Sequence, residues 1–199
     1  MTTRKSLSAL LALAGMATAL SPALAHKLRE KGAPVAVAES PMTVTPSRAW
    51  NRLDHRIGKN TETWTLDGAP LNDVTFFAGV APGMPLVRER SKKHNPLPKF
   101  SKQTLLVEVP ELLEGTIRTS EDVGTFEVTS AEPKPFMGQD GVMFTYQFTD
   151  QGGLPRKGEA QAAIVGGKLY MITYDAPRLH YFDKSLADFR ALAQSARFK

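Results

Sequence analysis

The stretch Val142–Thr149, VMFTYQFT, alternates without a fault. Val142, Phe144, Tyr146 and Phe148 fall on one side, and Met143, Thr145, Gln147 and Thr149 on the other. A period of two is the signature of a strand with one buried face. A second pair of strand-like runs, EAQAAIV and KLYMITY, flanks Gly166-Gly167. Two glycines between two such runs tolerate the positive φ of a tight hairpin turn. Strands joined by two-residue turns are antiparallel neighbours. The carboxyl half of the chain is therefore committed to an antiparallel sheet.

The sheet has to be stabilised by burial alone. The chain has 199 residues and no cysteine. A domain of this size buries about 70% of its unfolded surface and needs no disulfide staples. The first residues read as an export signal: Arg4 and Lys5, then an apolar run from Leu7 to Leu20, then SPALA with small residues at Ala23 and Ala25. Cleavage is expected after Ala25. The run is short and alanine-rich for a membrane span, which needs ~20 apolar residues. The expected product is periplasmic or secreted and, once cleaved, not an integral membrane protein. The net charge of +5 is too mild to suggest nucleic acid as a partner.

Residues 26–42 show no stable period and carry Pro34 and Pro41, so they are expected to be a flexible leader before a single domain over 43–199. TPSRAWNRLDHRIG, residues 45–58, is expected to be a helix. Thr45 would cap it, Pro46 would start it, Gly58 would end it, and Trp50, Leu53 and Ile57 would share a face. TETWTL and LNDVTFFAGV are expected to be a hairpin around Asp67, Gly68 and Pro70. Residues 82–103 are proline-broken and read as a long loop. TLLVEVPELLEGTIRTS should hold a helix with Pro110 near its start and Leu112, Leu113 and Ile117 inward. TFEVTSAE is a strand, QGGLPRKG a loop, and SLADFRALAQSARF a closing helix with Ser185 and Asp188 at capping-box spacing. This order implies an α+β domain: a six-stranded antiparallel sheet covered by helices.

IVGGKLYMITYDAP, the linker RLHYFDKS and the final helix resemble the end of the PsbP/Mog1-like fold group. In that group an antiparallel sheet lies between helices, and an extended linker leads into a C-terminal helix. The resemblance covers about residues 43–198. The chain is also similar to uncharacterised exported bacterial proteins of like length. The group includes photosystem accessory proteins, a nuclear-transport cofactor and lipoproteins. The resemblance implies binding or assembly work and supplies no catalytic residues.

Three constellations bear on function. His180 with Asp175 or Asp183 has the residue types of a base and its orienter, or of metal ligands. The bland reading makes YMITYDAPRLHYFD a hinge between strand and helix. There, Asp183 suits a helix start, and no nucleophile elbow or HExxH is present. Arg88, Arg90, Lys92, Lys93, Lys99 and Lys102 crowd one loop against Glu89 alone. They suit an anionic surface, and the bland alternative is a solvated loop. Trp50, Trp64, Phe76, Phe77, Phe144, Tyr146 and Phe148 suit a core better than a ligand pocket. Asp73, Glu121 and Asp122 do not form a carboxylate pair on sequence grounds. The expected function is non-enzymatic binding of a partner protein, an envelope component or a small apolar ligand. No catalytic residue, cofactor or metal is assigned. The alternative is a small hydrolase or metal-binding protein built on His180.

Overall fold

The computed structural model describes residues 27–199. The expected export signal and the expected cleavage after Ala25 lie outside the described residues. An eight-stranded, wholly antiparallel sheet forms the middle layer. Its strands are β1 (Lys27–Arg29), β4 (Trp50–Arg52), β5 (Thr61–Thr65), β6 (Asp73–Val80), β7 (Phe126–Pro133), β8 (Gly141–Thr149), β9 (Pro155–Val165) and β10 (Lys168–Pro177). They run across the sheet in the order β1-β4-β5-β6-β10-β9-β8-β7. A small second sheet joins β2 (Val35–Ala36), β3 (Met42–Val44) and β11 (Arg197–Phe198), with β3 in the middle. The helices are α1 (Val109–Ser120), entered through a 3-10 turn at Leu106–Glu108, and α2 (Tyr181–Gln194).

The β9–β10 hairpin turns on Gly166 and Gly167, at φ 57° and 71°, so that Val165 faces Lys168. β5, β6, β9 and β10 lie in the interior of the sheet and are buried almost throughout. β8 alternates as its sequence dictates, and β7 is the exposed edge. The aromatic residues split between two cores. Trp50, Trp64, Phe76 and Tyr174 pack with Phe182, Phe189 and Leu192 of α2. Phe77, Phe144, Tyr146 and Phe148 pack with Leu112, Leu113 and Ile117 of α1 and with Leu86 and Phe100 of the long loop. The sheet is thus sandwiched between layers, as the α+β expectation required.

Several local expectations change. The main sheet has eight strands rather than six. Residues 45–58 are not a helix. Trp50–Arg52 is β4, with Asn51 opposite Thr65 and Arg52 opposite Trp64. Trp50 is fully buried but Ile57 is exposed, so the apparent helical stripe does not share one environment. Strand pairing overrides a local pattern rich in weak helix formers. From Lys27 onward the expected flexible leader is instead part of the folded body. β1 pairs with β4, and Val37 and Ala38 are buried. A buried carboxylate fixes this segment: Glu62 accepts hydrogen bonds from Arg29, from the indole of Trp64 and from the backbone N–H of Ala38. Burial would raise the Glu62 pKa, but these donors and the Arg29 charge outweigh it and hold it below the ordinary value. α2 begins at Tyr181, so Ser185 is an interior, buried residue and not a cap. PRKG, expected in a loop, opens β9.

One glycine shows how closely side chains pack across neighbouring strands: Gly158 of β9 lies opposite Tyr146 of β8. A Cβ on Gly158 would lie 2.0 Å from the Tyr146 ring, whereas one on Gly124 would meet nothing within 4 Å. Gly158→Ala should cost about 1–3 kcal/mol by overpacking. Thermal melts should show a loss of roughly 2–4 °C per kcal/mol, with Gly124→Ala close to wild type. Equal melts for the two variants would contradict the packing.

Candidate functional sites

The basic loop is the first site. Residues 82–103 do not wander. Leu86, Leu97 and Phe100 are buried. Phe100 N–H donates to the Met84 carbonyl, Gly83 N–H to that of Phe100, and Arg88 N–H to that of Ile57. Glu89, the one acid in the run, is occupied in accepting from the Leu97 N–H at 3.2 Å. Arg88, Arg90, Lys92, Lys93, Lys99 and Lys102 are all exposed. None forms an ion pair among the described residues. Arg88, Lys92 and Lys99 converge with Lys59, from the turn before β5, on a concavity of about 380 Å³. Arg88 and Arg90 also face a second cavity of about 330 Å³ with His55, Arg56, Ser120 and Glu121. Apolar anchors therefore hold a cationic rim in place.

The second site was missed in the sequence. One row of cross-strand neighbours runs Tyr146–Gly158–Asp175–Asp73 over β8, β9, β10 and β6. Asp175 and Asp73 thus stand side by side, forming the carboxylate pair that spacing along the chain could not reveal. Arg156, two residues along β9 on the same face, donates through Nε to Asp175 at 2.7 Å and through Nη1 to the Pro70 carbonyl at 3.0 Å. One oxygen of Asp73 is buried with no hydrogen-bond partner among the described residues. Burial and the Asp175 charge, opposed by Arg156, push Asp73 up to about 8. Burial raises Asp175 as well, against its bonds to Arg156. The two carboxyls titrate as a pair. Burial and Asp175 also raise Glu121, at the end of α1, to about 7. Glu121 keeps solvent contact on its outer side, which tempers the size of that shift but not its direction. Arg156 bonds only Asp175 of the three carboxyls and acts on Asp73 and Glu121 through its charge alone.

His180 forms no site with its expected partners. It is exposed at the N-cap of α2 with φ 69°, and it makes no side-chain hydrogen bond or ion pair among the described residues. Asp175 is taken by Arg156, and Asp183 is exposed. Among the described residues no group of three His, Asp or Glu side chains could hold a metal ion. The hinge is instead held by Tyr174, whose hydroxyl lies 3.1 Å and 2.9 Å from the carbonyls of Tyr181 and Phe182 and ties the first turn of α2 to β10. A third concavity, about 400 Å³ and mostly apolar, lies between Leu106, Val107, Pro133, Pro135 and Val142.

The carboxylate pair carries a sign that can be tested. Burial favours a retained proton on this pair in the folded protein, with Asp73 pushed up to about 8, whereas the unfolded chain releases it in the ordinary carboxylate range. This group's contribution is therefore intact in acid and is lost as pH rises toward 8. Asp73→Asn should melt progressively higher than wild type between pH 5 and pH 8, by a few degrees at the upper end. Parallel melting curves would show that Asp73 titrates normally.

No protein-family model matches the chain, and no curated protein matches it by sequence. Solved structures do. Cyanobacterial PsbP (CyanoP) from Synechocystis sp. PCC 6803 superposes with a TM-score of 0.58 at 12% identity, covering 94% of this chain and 99% of that one. The Ran-binding protein Mog1p of Saccharomyces cerevisiae gives 0.49 at 6% identity, covering 85% and 96%. LpqN of Mycobacterium tuberculosis, involved in cell envelope biogenesis, gives 0.37 at 8%, covering 84% and 85%. Two helical layers around an antiparallel sheet and full-length superposition on a PsbP protein establish that this chain has the PsbP/Mog1-like fold.

Proposed function

We propose that this chain is an exported, non-enzymatic binding protein that docks on an anionic surface of the cell envelope through residues 82–103. The observation that carries the reading is the loop itself: six exposed cations, free of ion pairs among the described residues, on a backbone pinned by Leu86, Leu97 and Phe100. A merely solvated loop has no need of such anchoring. Export is inferred from residues 1–25 and supports the envelope as the place of action. Among the described residues no helix is long and apolar enough to cross a membrane.

The strength expected is modest. Each basic residue near an anionic surface contributes ~1 kcal/mol. Four engaged residues give ~4 kcal/mol, or about millimolar attraction per molecule. Such docking works by proximity and needs a second contact for long residence. The apolar concavity at Leu106 and Val107 favours a second reading, in which a small apolar ligand is carried there.

Sedimentation with vesicles tests the first reading. The protein should pellet with anionic vesicles at low salt and be released as salt rises. It should not pellet with zwitterionic ones. Lys92→Gln with Lys93→Gln should weaken partition about 30-fold, the equivalent of ~2 kcal/mol. Binding that ignores both salt and headgroup charge would overturn the docking role. Saturable uptake of a fatty acid, lost in Val107→Asp, would support the second reading instead.

A further inference from the structure

We propose that the cavity between the basic loop and the end of α1 binds a phosphate-type oxyanion, and that Glu121 in its wall admits the anion only when it carries a proton. The inference deepens the docking reading, since it gives Arg88 and Arg90 a specific ligand. The cavity has a volume of about 330 Å³ and is lined by Arg56, Arg88, Arg90, His55 and Ser120, with Glu121 as the one acidic residue in its wall. Planar guanidinium forks match a tetrahedral oxyanion better than point charges do. Arg56 is partly engaged by Glu39 at 2.6 Å. Arg88 and Arg90 have no ion-pair partner among the described residues.

An ionised Glu121 would serve these arginines as a built-in counter-ion and compete with any bound anion. A neutral Glu121 offers a hydrogen-bond donor in its place. Its surroundings favour the neutral form. It is the C-cap of α1, at the negative end of the helix dipole. On the sheet side it faces Asp175 of β10, Asp73 of β6 and Tyr146 of β8, together with Asp150 from the turn after β8. Arg156 of β9 opposes these charges, but Asp175 and Pro70 already occupy it. On the outer side stand His55 and Arg56, from the stretch between β4 and β5, and Arg88 and Arg90. Burial on the inner side and the acidic neighbours push its midpoint up from the ordinary carboxylate range toward 7. As pH falls through that value the cavity loses its only negative charge and anion affinity rises. By linkage, the bound anion in turn draws a proton onto Glu121.

Sulfate is a suitable probe, because its charge is constant over this range. NMR titration of the full chain with sulfate at pH 5.5 and 8.5 should show binding about 5-fold or more tighter in acid, with shifts centred on Arg88, Arg90 and Ser120. Glu121→Gln should bind at both pH values with the acid-side affinity. Arg88→Ala with Arg90→Ala should lose binding at both. His55→Gln should keep most of the pH dependence. The proposal is overturned if Glu121→Gln retains the wild-type pH dependence, if His55→Gln alone abolishes it, or if sulfate shifts no residue of this cavity. In the last case, salt-sensitive docking on anionic vesicles would show that the broader reading survives without it.

Discussion

A sheet covered on both faces leaves little room for charge, and this constraint shapes the rest of the molecule. β5, β6, β9 and β10 are buried nearly end to end, so every polar side chain they carry has to find a partner inside. Glu62 finds Arg29, Trp64 and Ala38. Glu159, fully buried, is met by the Arg190 guanidinium of α2. Thr63 and Thr75 bond each other. The same contacts stitch layers together: Glu62 holds the first strand, and Glu159 holds the last helix.

The row containing Asp73 and Asp175 departs from this rule. Arg156 satisfies one carboxylate, and the other keeps a buried oxygen without a partner. Such a site costs stability in the ionised state and persists because the strands around it are fixed by their pairing. It lies at the end of the sheet where α1 terminates, and Arg88 and Arg90 of the basic loop reach that helix end. Glu121 is charge-coupled to Asp175 on its inner side and lines a cavity with Arg88 and Arg90 on its outer side. The surface proposed for binding and the buried carboxyl cluster are therefore neighbours.

Much of this architecture is legible in the sequence, and the failures have physical causes. Val142–Thr149 alternates because one of its faces meets α1, and Gly166-Gly167 marks a turn that other residues rarely adopt. Pro110 sits at the helix start because a proline there loses no hydrogen bond. By contrast, Thr45, Pro46 and the spacing of Trp50, Leu53 and Ile57 imitate a helix, and only the pairing of Asn51 and Arg52 with β5 decides otherwise. The order in Lys27–Arg29 depends on Glu62, more than thirty residues away. The carboxylate pair was illegible for the same reason: Asp73 and Asp175 lie far apart in the chain, and only strand register makes them neighbours. The six basic residues were visible as a cluster, whereas the buried anchors that fix them were not separable from a loose loop.

The most direct test of the central claim, that an ordered cationic loop is the working surface, is hydrogen–deuterium exchange of the whole chain with and without anionic vesicles at pH 6 and low salt. Protection should appear over residues 82–103 and spread to the end of α1 near Ser120 and Glu121. The turn at Leu179 and His180 should be unchanged. Protection concentrated at that turn, or none along the loop while the protein is vesicle-bound, would contradict the account.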